Sequence, residues 1–153
     1  MTYTFIGIDP GMSGAIAKIG AAIDAVPFKD LTEKDILNII GGFIFPPEDS
    51  FTFIENVHSM PKQGVASSFK FGMNFGFLKG CVYGFGGRFE LVSPQKWQKE
   101  LGCMSHGDKN VTKAKAQQLF PTMKCTHAIS DALLLAEYCK RIVTAREMDL
   151  RRE

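Results

Sequence analysis

At 153 residues the chain is the size of one domain, expected to span 1–153 around a single buried core. Hydrophobic residues make up 45% and charged residues 22%, an ordinary soluble globular composition, and no apolar run reaches the roughly 18 to 20 residues that cross a bilayer. The formal charge of only +2 excludes a strongly basic nucleic-acid coat, so any such binding has to rest on local clusters.

The opening run Tyr3 to Ile8 is apolar and β-favouring and ends in Asp9-Pro10-Gly11, which predicts a buried strand closing in a tight turn. Ala15 to Ile19 resumes as a second strand and Ala21 to Val26 as a third, an antiparallel meander. Thr32 caps a helix from Glu33, apolar along Ile36, Leu37, Ile39 and Ile40, that Gly41-Gly42 is expected to stop. Pro46 to Ser50 is a turn, and Phe51 to Glu55 a buried strand with a carboxylate at its end. A loop from His58 to Val65 precedes a helix opening at Ser67 or Ser68 and running to about Tyr83. Arg88 to Val92 is a short strand, and Ser93-Pro94 caps a helix from Gln95 to Leu101. After the polar loop Gly102 to Lys109 come a helix from Val111 to Leu119 and a last one from Ala128 to about Glu147. The order is that of an α/β fold.

The N-terminus has no basic stretch followed by an apolar segment and a cleavage site, so a cytosolic place, in a cell or an infected host, is expected. Cys81, Cys103, Cys125 and Cys139 lack the spacing of a zinc knuckle or redox pair and read as buried free thiols. Basic residues gather at Lys96, Lys99, Lys109, Lys113 and Lys115 and again from Lys140 to Arg152; for the tail a solvated helix face is the preferred reading.

Three acids stand apart from the surface charges. Asp9 and Glu55 each end a buried strand, and Asp131 opens the last helix beside Ala132-Leu133-Leu134-Leu135. A carboxylate at the edge of a core is costly unless it is hydrogen-bonded, paired or metal-bound. If the first and fourth strands are neighbours, Asp9 faces Glu55 and the last helix brings Asp131 alongside. Oxygen ligands suit Mg²⁺ or Mn²⁺, and phosphoryl-transfer sites hold two such ions about 4 Å apart. The alternative is that each acid caps a turn or helix, and for Asp9 before Pro-Gly the two readings weigh equally. His127, four residues before Asp131, shares its helical face and could bind the second metal or handle protons, although a lone histidine at a helix start is more often a cap or surface residue.

These segments resemble RuvC-like Holliday-junction resolvases, especially the compact versions common in phages. The resemblance rests on Ile6-Gly7-Ile8-Asp9-Pro10-Gly11, on Phe53-Ile54-Glu55-Asn56-Val57-His58-Ser59-Met60-Pro61, and on His127-Ala128-Ile129-Ser130-Asp131 through Tyr138. Gln63-Gly64-Val65, the Phe- and Gly-rich stretch Phe69 to Gly80, and Leu91-Val92-Ser93-Pro94-Gln95-Lys96-Trp97 add to it, so that it covers about residues 4 to 141. It implies an RNase H-like fold with a five-stranded mixed sheet flanked by helices. It also implies a homodimer and two symmetric metal-dependent nicks in a four-way DNA junction, with Asp9, Glu55 and Asp131 as Mg²⁺ ligands. Many relatives carry an acid or histidine three residues before the last aspartate; here Ala128 stands there, and His127 is the nearest substitute.

Gly72, Gly76, Gly80 and Gly84 recur every fourth residue along one helix, each costing roughly 1 kcal/mol against alanine. Either a second copy approaches this stripe, making it the dimer seam, or the helix packs closely on its own sheet. Among the aromatics nearby, Phe69 is the candidate for stacking on an unpaired base, and Lys109, Lys113 and Lys115 are candidates for phosphate contacts. The Asp-Pro-Gly turn also resembles the first phosphate loop of actin-like ATPases, but those need two such domains. A nuclease acting on RNA–DNA hybrids with the same acids, and a junction-binding protein that does not cut, are the remaining alternatives.

Overall fold

The computed structural model describes residues 2–153. Five strands, β1 (Thr4–Asp9), β2 (Ala15–Ile19), β3 (Ile23–Pro27), β4 (Ser50–Glu55) and β5 (Phe89–Val92), form one sheet in the order β3-β2-β1-β4-β5. The first three make an antiparallel meander, while β1–β4 and β4–β5 are parallel. The helices are α1 (Glu33–Ile44), α2 (Val65–Gly84), α3 (Pro94–Glu100), α4 (Lys109–Leu119) and α5 (His127–Leu150). The expected five-stranded mixed sheet flanked by helices is therefore present, and among the described residues no helix is long and apolar enough to cross a membrane.

The period-two pattern of the strands divides the core. Phe5 and Phe53 face α5 and join its Leu133, Leu134 and Ala136 and the fully buried Trp97 in one cluster. Ile6, Ile8 and Ile54 face the other way, onto Ile36, Ile40 and Ile44 of α1 and Leu78 and Val82 of α2. All four cysteines are free and buried.

Several helix boundaries differ from expectation: α4 starts two residues early, at Lys109, α5 runs on to Leu150, and α1 and α2 differ as well. Gly41-Gly42 does not stop α1, which continues to Ile44, because Phe43 and Ile44 are buried and the ring of Phe85 lies over Gly41, where no Cβ would fit. The stop comes at Phe45, before the cis Phe45–Pro46 bond. Helix α2 starts earlier than Ser67, at Val65 after Gly64. In the basic tail, Arg141 pairs with Glu137 and Arg146 with Glu90, as a solvated helix surface would.

Candidate active site

The parallel register sets Ile8 beside Ile54, so the next residues, Asp9 and Glu55, end neighbouring strands at one edge of the sheet. Both alternate in phase with Phe5 and Phe53 and hence lie on the α5 side. Helix α5 crosses β1 so closely that a Cβ on Gly7 would stand 2.3 Å from the Ala132 carbonyl oxygen and 2.4 Å from the Ala136 nitrogen. That contact places Asp131, the residue before Ala132, at the same edge. The structure thus brings together the three acids that the sequence singles out.

Each acid is half-buried, and Asp9 and Glu55 each accept one hydrogen bond. The Gly11 N–H donates to Asp9 Oδ1 at 3.1 Å, closing the turn, and Gly14 packs on the Asp9 carbonyl where a side chain would collide. The indole N–H of Trp97 donates to Glu55 Oε2 at 2.9 Å. The Thr112 hydroxyl donates to the Lys109 carbonyl at 3.3 Å and lies near Asp131, where it opposes the rise that burial imposes on that carboxyl. None of the three joins a salt bridge among the described residues. Burial raises Asp9 to about 6, with Asp131 adding to the rise and the Gly11 N–H opposing it. Burial and then the charge of Asp9 push Glu55 to about 8 against the Trp97 bond, and burial raises Asp131 too. The acids therefore sense one another's charge, and each resists ionising without a nearby cation.

Lys109, at the first turn of α4, is near enough for its charge to lower the pKa of all three acids. Lys113 and Lys115 lie further along α4, and the charge of Lys115 acts on Cys103 instead. His127, exposed at the start of α5, acts on Asp131 through its charge. Phe69 is 68% exposed in the N-terminal half of α2. That half is tied to the site by Asn74, whose amide donates to the Pro10 carbonyl at 2.7 Å. At Gly72, Gly76, Gly80 and Gly84 an added Cβ would meet nothing within 4 Å. Close packing on the chain's own sheet is thereby overturned as the reason for these glycines.

The set suits a hard divalent cation in its chemistry. All donors are oxygens, their charges repel one another, and Asp9 Oδ2 and Glu55 Oε1 carry no hydrogen bond among the described residues. Among those residues, however, no three His, Cys, Asp or Glu side chains already stand close enough to cage an ion. The acids share an edge without being drawn into a ready-made coordination shell.

Sequence reasoning missed Trp97, Thr112, Asn74 and the close approach at Gly7. Trp97 carried a hint, since an indole beside a Ser-Pro helix cap has an N–H that needs a partner once buried. The other contacts left no local signal.

The chain has the RNase H-like fold in its RuvC-like form. RuvC of Thermus thermophilus superposes on it with a TM-score of 0.60 at 15% identity, over 92% of this chain and 97% of that one. The T. thermophilus RuvC in complex with a Holliday junction substrate gives 0.64 at 14% identity, over 89% and 92%. No family model and no curated protein sequence matches the chain.

Proposed function

We propose that the chain is a divalent-metal-dependent endodeoxyribonuclease that resolves four-way or other branched DNA by symmetric nicking, as a homodimer. The observation that carries this reading is the convergence of Asp9, Glu55 and Asp131, electrostatically coupled and without salt bridges, on a fold shared with a protein solved on a Holliday junction.

Asp9, Glu55 and Asp131 would hold the metal, with His127 as a further ligand or proton carrier on the same face as Asp131. Two Mg²⁺ ions, or Mn²⁺ in their place, supply activation of water and stabilisation of the leaving oxygen when bound. Trp97 holds one oxygen of Glu55 and thereby orients the other, and the Asp9 carboxylate is fixed in the same way by Gly11. Lys109 offsets the charge of the acids and would bind a phosphate of the cut strand, a reading its charge influence on Asp9 and Glu55 supports. The products of water attack at phosphorus are a 5′-phosphate and a 3′-hydroxyl. Phe69 would stack on an unpaired base at the branch, and Lys113 and Lys115 would extend the phosphate contacts along α4.

The dimer reading draws on α2, of whose 20 residues only Leu78, Cys81 and Val82 are buried. Its open side carries Val65, Phe69, Met73 and Tyr83, each more than half exposed, around the four open glycines. Unpartnered apolar surface with a small-residue stripe suits the approach of a second α2.

The deciding experiment offers the protein a four-way junction, a matched linear duplex and an RNA–DNA hybrid, with Mg²⁺ or EDTA, beside Asp9→Asn. Paired nicks in the junction alone, lost with EDTA and with the substitution, are expected. Preferred cutting of the hybrid would move the activity to a ribonuclease, and tight junction binding without cutting would refute the catalytic assignment.

A further inference from the structure

The turn that presents Asp9 is held on one side by the core. The Gly14 N–H donates to the Gly11 carbonyl at 2.9 Å, the Phe28 N–H donates to the Gly14 carbonyl at 3.0 Å, and Phe28 is buried in the cluster of α1 and α2. The other side is the single peptide unit between Pro10 and Gly11. Its N–H donates to Asp9 Oδ1 at 3.1 Å, and its carbonyl oxygen accepts from Asn74 Nδ2 at 2.7 Å. A peptide unit is planar, so these two bonds leave opposite edges of one rigid group. Fixing the carbonyl therefore fixes the N–H that holds the carboxylate, and two bonds in line through one amide also polarise each other.

Without Asn74 this plane is free to turn. Rotation takes place about ψ of Pro10 and φ of Gly11, and Gly11 lies outside the left-handed region. Flipping the plane carries Gly11 to positive φ, which glycine adopts about as readily as negative φ. The flipped N–H points away from Asp9, whose carboxylate then loses its one hydrogen bond. Asn74 is the hydrogen-bond partner of the Pro10 carbonyl among the described residues, and Pro10 is buried, so that losing the amide leaves a buried acceptor unpaired. Asn74 is itself well seated. It is half-buried on α2, next to Phe75 and close to Phe77 and Leu78, all of which pack into the α1 and α2 cluster.

We propose that Asn74 is a positioning residue of the metal site: it locks the Pro10–Gly11 peptide in the orientation that aims the Asp9 carboxylate, and so ties that acid to α2. This role rests on reading Asp9 as a metal ligand. Asn74 acts through the peptide and not on the ion.

The test is Mn²⁺ binding by the full chain without DNA, read from the electron paramagnetic resonance of the free ion. Asn74→Leu keeps the bulk and removes the donor, and leucine suits a helix better than asparagine, so thermal melting should show a folded protein. Its Mn²⁺ dissociation constant should rise roughly tenfold, the size of effect passed through a ligand's own hydrogen-bond partner. Gly11→Ala supplies a check that a packing role would not pass. A Cβ there stands 3.4 Å from Asp9 Oδ1, an ordinary contact, and alanine disfavours the positive φ of the flipped plane. In the Gly11→Ala background, Asn74→Leu should therefore raise the dissociation constant about twofold at most. Equal effects in the two backgrounds, or wild-type Mn²⁺ affinity in Asn74→Leu, overturn this role. Should the leucine variant not fold, Asn74→Ala removes the same donor and is read in the same way. Junction cutting separates the role from the nuclease reading. Cutting by the wild type, with unaltered Mn²⁺ affinity in Asn74→Leu, sinks the role of Asn74 and leaves the nuclease. Weakened Mn²⁺ binding that Gly11→Ala relieves, in a chain that cuts no branched DNA, does the reverse.

Discussion

The chemistry of this chain is concentrated in a few side chains whose meaning depends on one partner each. Asp9, Glu55 and Asp131 were legible because each adjoins an apolar run, where a charged group needs a reason. The Trp97–Glu55 bond was not, since it links residues 42 apart in sequence and exists only once α3 folds over the end of β4. Trp97→Phe keeps most of the packing and removes the N–H. Without that donor the pKa of Glu55 rises further above about 8, so less carboxylate is available at neutral pH. Cleavage at pH 7 should fall by roughly ten- to a hundredfold, the worth of a hydrogen bond to a charged group, and should recover as the pH is raised. A uniform loss at every pH would reduce Trp97 to a packing residue.

At the scale of elements, the decisive contact is that of α5 on β1. The sequence shows Gly7 only as a small residue inside a strand; the reason for it lies in Ala132 and Ala136, whose backbone occupies the space of its side chain. Gly7→Ala forces the helix away from the strand, at a cost of about 1–3 kcal/mol or more, and moves Asp131 from Asp9. Chemical denaturation should show the loss of stability, and the junction assay a loss of cutting larger than the unfolded fraction explains. Helix α2 predicts the opposite sign. Gly76 points into open space, so Gly76→Leu should raise the helix propensity by somewhat under 1 kcal/mol while blocking the approach of a second copy. A folded monomer in sedimentation is the expected outcome, and an unchanged dimer would move the seam elsewhere.

For the whole molecule, the raised acids link folding to pH. Asp9 goes from 3.8 to about 6 and Glu55 from 4.5 to about 8, so over that window the folded chain holds more protons than the unfolded one. Stability contributed by these two groups therefore falls as pH rises from about 5 to about 8. Asp35 and Glu90, whose pKa values are lowered by Thr32 and Arg146, act in the opposite sense but complete their contribution below that window. In EDTA the melting temperature should decline across pH 5 to 8, and Mg²⁺ should flatten the decline by binding the ionised acids. A melting temperature that climbs with pH in EDTA would refute the coupling. Replacing Asp9 and Glu55 by their amides should remove most of the slope and of the Mg²⁺ effect, leaving the smaller share of Asp131.

By itself the sequence determined the strand and helix order, the α/β class, the three acids and the cap of α3 at Ser93. All of these follow from local signals: apolar periodicity, turn chemistry, and charge set against an apolar run. Tertiary structure decided what depends on partners distant in the chain. It carried α1 past Gly41-Gly42 by burying Phe43 and Ile44, gave Glu55 its indole donor, and left the glycine stripe of α2 facing outward. It also folded Ser105 back onto the Gln98 amide oxygen, to which its N–H donates at 3.0 Å. Local pattern reports which residues need burial or a partner; only the packed chain decides which partner each one meets.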